Sequence, residues 1–91
     1  MRSVDWEKAR KIGELAKALS SKYPNKILEK DVHDLVKAAE SRNEELFMSC
    51  LQKLIKNIDI NDLYDELEVE EIFRLVYELV TQKNPDDWSL L

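Results

Sequence analysis

His33 and Cys50 are the only histidine and the only cysteine of this 91-residue chain, and together they bound the chemistry open to it. A histidine exchanges protons near neutral pH, but a dyad or triad built on His33 would need a nucleophile and an orienting partner. Cys50 is the one thiol that could attack a substrate, and with His33 it could begin a metal site. Helical spacing points both residues away from such work. His33 falls off the apolar stripe of Leu28, Val32 and Leu35 and beside Lys30 and Lys37, a solvated position. Cys50 falls between Leu46 and Leu54 on an apolar face, where a free cysteine behaves as a small hydrophobe.

Carboxylates are plentiful but do not form a recognisable ligand set. Asp59, Asn61, Leu63, Asp65 and Glu70 follow a calcium-binding loop only in part, with Leu63 at a position that needs oxygen and Tyr64 where the turn needs glycine. One His and one Cys cannot complete a four-ligand zinc site. No Glu-x-x-His pair, Gly-rich phosphate loop or nucleophile elbow occurs, and a chain with a single Gly has little material for such loops. The expectation is a non-enzymatic protein with no cofactor, no metal and no small-molecule substrate.

The elements that carry these residues read as helices. Charged residues make up 36% of the chain and Gly is nearly absent, a composition suited to helices with solvated outer faces and unsuited to tight hairpins. The sequence predicts an all-α fold in one domain, residues 1–91, as a compact bundle of four longer helices and one short helix with short connections. The helices are placed at about 4–23, 28–41, 44–57, 60–67 and 69–83, with a tail at 84–91.

Ser3 is the expected N-cap of the first helix, whose core face is Ile12, Leu15, Leu19 and Tyr23. Beside that face runs a line of small residues, Ala9, Gly13, Ala16 and Ser20, expected to be filled from within the bundle. The second helix begins either after Asn25 or at Asp31, and its single stripe of Leu28, Val32, Leu35, Val36 and Ala39 suits an edge position. Ser41 and Asn43 compete to cap the third helix, which carries Leu46, Phe47, Cys50, Leu51, Leu54, Ile55 and Ile58 inward. Ile60, Leu63, Tyr64 and Leu67 form the stripe of the short helix. Val69, Ile72, Phe73, Val76, Leu79 and Val80, widened by Leu75 and Tyr77, form that of the last. The third and last helices, with the widest apolar faces, are expected at the centre.

Charge is unevenly placed. Residues 1–57 carry 12 Lys/Arg and 9 Asp/Glu, for a net +3, while residues 58–91 carry 2 and 10, for −8, which together give the overall −5. Such asymmetry suits a charged partner, head-to-tail association, or two halves that lie against each other. Lys8, Arg10, Lys11, Lys17, Lys22 and Lys26 are the candidate phosphate-binding residues of the basic half. Direct reading of DNA is disfavoured, because a helix-turn-helix built on the second and third helices would point Glu44 and Glu45 at phosphate.

The acidic stretch 59–71 contains no basic residue, and Asp62, Asp65, Glu66 and Glu70 are its candidate protein-binding residues. Trp88, Leu90 and Leu91 of the tail are a second candidate, either packed on the bundle's end or docked in a partner's groove. The N-terminal residues lack an apolar signal core, and no stretch approaches the roughly 18 apolar residues that span a bilayer. A cytoplasmic, soluble protein is therefore expected, acting as a protein-binding adaptor or accessory subunit. The alternatives are an accessory factor of a nucleic-acid machine and a self-assembling module with complementary charged faces.

Overall fold

Caps and two left-handed residues set the helix boundaries in this chain. A computed structural model describes residues 4–83. Helix α1 spans Trp6–Lys22, α2 Glu29–Glu40, α3 Glu44–Ile60 and α4 Leu67–Lys83, and no strand occurs among the described residues. Asp5 starts α1, its carboxylate accepting the backbone N–H groups of Glu7 at 3.2 Å and Lys8 at 3.4 Å. The predicted cap, Ser3, lies outside the described residues. Tyr23 closes the helix through its N–H on the Leu19 carbonyl, 2.9 Å away, and the chain turns at Pro24.

Of the starts weighed for the second helix, Asp31 is not used, and the helix opens within one residue of the expected boundary at 28. α2 begins after Leu28, which offers no side-chain oxygen to the first turn, and Asp31 sits inside that turn. The connection is anchored from within instead. Ile27 is buried, and the buried Ser20 hydroxyl donates to its carbonyl at 2.7 Å. Asn43 rather than Ser41 caps α3, accepting the Leu46 N–H at 3.1 Å.

α2 and α3 end alike. Arg42 (φ 55°) and Asp62 (φ 53°) adopt left-handed backbone, so that the N–H of Asn43 returns to the Ala38 carbonyl at 3.0 Å and that of Leu63 to the Ile58 carbonyl at 3.1 Å. Glycine is the usual residue at this position. Here the only Gly is held in α1, and an Arg in its place costs about 1–2 kcal/mol of backbone strain.

The second of these stops corrects the prediction of a fifth helix at 60–67. α3 runs on to Ile60, the chain reverses at Asp62, and residues 61–66 form a non-helical connection into α4. Of the four apolar residues assigned to that helix's buried stripe, only Leu63 is buried. Ile60, Tyr64 and Leu67 stand in solvent.

Packing also departs from the expected centre. α1 packs on both α2 and α4, and α2 on both α1 and α3, so α1 and α2 are the inner pair. The cause lies in side-chain size. Ala9, Ile12, Ala16 and Leu19 of α1 are fully buried, Gly13 and Ser20 are buried with them, and Leu15 and Tyr23 are only half-buried. The line of small residues is thus the core face itself, and α2 fills it: a Cβ placed on Gly13 would lie 3.0 Å from Val36 Cγ2. α2 is not a one-sided edge helix either, because Ala38 is fully buried alongside Leu35 and Ala39. Among the described residues no helix is long and apolar enough to cross a membrane.

Candidate functional site

Two lysines of the basic half, Lys22 and Lys8, are paired with carboxylates of the acidic half. α4 lies antiparallel along α1, with Lys22 Nζ 3.0 Å from Glu66 Oε1 and 3.1 Å from Glu68 Oε1, while Lys8 at the other end reaches Asp5 at 3.3 Å and Glu78 at 3.7 Å. Lys26 sits over the Tyr23 ring, 5.4 Å from its centre, and the charge of Lys11 reaches Glu71. Of the six candidate phosphate ligands, Arg10, Lys11, Lys17 and Lys26 remain exposed, and none of these four has an ion pair among the described residues.

Glu66 is the hub of this contact. The Tyr23 hydroxyl donates to one carboxylate oxygen and Lys22 to the other, and the two donors hold its carboxyl below the ordinary value of 4.5 against a smaller opposing effect of desolvation. A depressed carboxyl stabilises the fold above the unfolded-state pKa and loses that contribution as pH falls through the folded-state value. Glu66→Gln is therefore expected to flatten the fall of melting temperature with pH below about 4.5, as read by circular dichroism from pH 6 to pH 2. An unchanged slope would mean that the Tyr23–Glu66–Lys22 contact does not hold in solution.

His33 is exposed, its Nδ1 3.9 Å from Asp34 Oδ1. Cys50 is half-buried against α2, where burial pushes its thiol up and the nearby Asp34 adds to the effect, so the reactive thiolate is disfavoured. Among the described residues no three His, Cys, Asp or Glu side chains converge as a metal site, and no buried side-chain nitrogen or oxygen lacks a hydrogen-bond partner.

The two most exposed large apolar side chains among the described residues, Leu67 and Ile60, lie at the corner between α3 and α4. Ile60 is 66% exposed, Tyr64 44% and Leu67 76%, within eight residues of chain. Asp62, Asp65 and Glu70 are exposed beside them and carry no ion pair among the described residues. Tyr64 is held in place from two sides: its ring stacks on Phe73 with centres 6.0 Å apart, and its hydroxyl donates to Asp59 at 2.5 Å. Farther along α4, beyond the exposed Glu70 and Arg74, Tyr77 and Val80 are also exposed.

Three of the four carboxylates expected at a protein-binding surface are thus brought together, whereas Glu66 is spent inside the fold. The apolar members Ile60, Tyr64 and Leu67 were missed because they fit a buried helical stripe. The pair Asn61-Asp62, whose short polar side chains tolerate left-handed backbone, was the available sign that the helix stops there. Trp88, Leu90 and Leu91 lie outside the described residues. The chain matches no protein-family model, no curated protein and no solved structure.

Proposed function

We propose that this chain is a small, non-enzymatic, cytoplasmic helical adaptor or accessory subunit that binds another protein through the corner between α3 and α4. The observation that carries this reading is the set of large apolar side chains left in solvent there, Ile60, Tyr64 and Leu67, beside three carboxylates that have no ion pair among the described residues. Tyr64 has the qualities of an interface anchor, being a large amphipathic ring already fixed by Phe73 and Asp59, so little side-chain freedom is lost on contact. The carboxylates favour a basic partner and disfavour nucleic acid on this side. A phosphate-binding role for the basic half draws less support, because Lys8 and Lys22 already hold carboxylates of the same chain.

The test is affinity capture from native extract read by mass spectrometry, with three baits in parallel. A partner retained by the native chain and by Arg10→Glu/Lys11→Glu, but lost with Tyr64→Ala/Leu67→Ser, is the expected result. A partner lost instead with the Arg10/Lys11 bait, or released by nuclease, would overturn the reading.

A further inference from the structure

A groove between the end of α1 and the start of α2 is lined by Lys17, Pro24, Lys30, Val32, His33 and Val36, with a volume of about 610 Å³. Its lining is mainly apolar, and Lys17 and Lys30 carry no ion pair among the described residues; Glu29 is the one carboxylate on its border. The groove is therefore basic and apolar where the α3–α4 corner is acidic and apolar.

The two surfaces also share one end of the bundle. The groove ends at Pro24, the corner includes Glu66, and Lys22 and Tyr23 between them join α1 to Glu66.

We infer that the occupant of the groove is the α3–α4 corner of a second copy, and that two copies exchange these contacts reciprocally as a closed dimer. This inference rests on the protein-binding reading of the corner and names its partner. Reciprocal exchange follows from the placement: surfaces at the same end of each molecule can meet about a two-fold axis, where each corner finds the other copy's groove. Corner against corner is disfavoured, since it would set Asp62, Asp65 and Glu70 against their own copies with no cation between. In the exchanged arrangement Asp65 and Glu70 meet Lys17 and Lys30, and Ile60 and Leu67 cover the apolar floor at Val32 and Val36.

Sedimentation velocity of the native chain at low salt, between about 1 μM and about 1 mM, is expected to show a monomer giving way to a dimer, as suits a small contact. Added salt shifts it back to monomer. Lys17→Glu/Lys30→Glu and Asp65→Lys/Glu70→Lys change only exposed positions, and circular dichroism verifies that each stays helical. Each variant alone is expected to remain monomeric, and their equimolar mixture to recover the native dimer, because both contacts are then complementary again.

A native chain monomeric throughout the range, a dimer indifferent to both variants, a mixture that stays monomeric, or species that grow beyond the dimer would each overturn the exchange. None of these results bears on whether the corner captures a different protein from extract, so the two readings fail separately.

Discussion

Phe47→Ala is expected to lower the free energy of unfolding by about 3–5 kcal/mol, whereas Leu46→Ala, one residue earlier, changes it by no more than about 0.5 kcal/mol. Phe47 is completely buried and is the largest side chain so placed among the described residues. It also meets the edge of Trp6 across the bundle, with ring centres 5.9 Å apart and planes at 74°. Truncation removes that contact and leaves a cavity in the core that the surroundings close only in part. Leu46 is 46% exposed and loses little. A domain of this size holds only about 5–14 kcal/mol, so the Phe47 change removes between about a fifth and nearly all of that margin. Urea unfolding followed by far-UV circular dichroism measures both. Equal, small losses at the two positions would mean that α3 does not turn this face inward.

Gly13→Leu is the second large effect, with an expected loss of about 3 kcal/mol from overpacking. Val36 leaves almost no room: besides Cγ2 at 3.0 Å, its Cα lies 3.8 Å from a Cβ on Gly13, so the backbone of α2 itself blocks a long side chain. Gly13→Ala is a different case. It gains roughly 1 kcal/mol of helix propensity and asks Val36 Cγ2 to move a few tenths of an ångström, leaving the balance within about 1 kcal/mol of native. Gly13→Leu/Val36→Ala is expected to regain part of the loss. The same urea titrations read all three, and a Gly13→Leu protein with the native midpoint would show that α1 and α2 do not approach here.

Much of this fold could be read from residues. The turn at Tyr23-Pro24, the cap at Asn43 as one of two candidates, and the small-residue line of α1 depend on local chemistry, and local chemistry is written in sequence. The start of α2 was less legible because Leu28 offers no capping oxygen; a buried bond from Ser20 to Ile27 holds that turn instead.

The inward direction of α4 depended on neighbours. Its apolar residues cover so wide an arc that periodicity allowed Tyr77 and Val80 to point inward as readily as Leu75. Packing on α1 buries Val69, Ile72, Leu75 and Leu79 and leaves Tyr77 and Val80 exposed. The candidate site was legible in its carboxylates and hidden in its apolar part. Glu66 was likewise indistinguishable from Asp62, Asp65 and Glu70, since its pairing with Lys22 exists only once α4 lies along α1.

The pairing of Lys22 with Glu66 joins residues 44 apart in sequence, and it orders the assembly of the molecule. α1, α2 and α3 meet as successive neighbours across short turns, so their hairpins gain contacts as soon as each turn forms. α4 must instead return to the first helix, closing a loop that costs roughly 3 kcal/mol of chain entropy beyond its length-independent part. That cost is offset only when Val69, Ile72, Leu75 and Leu79 reach α1 together, so the docking of α4 is the least local of the helix contacts and is expected to form last. The α3–α4 corner completes its shape only when α4 docks, so the proposed binding surface belongs to the finished domain.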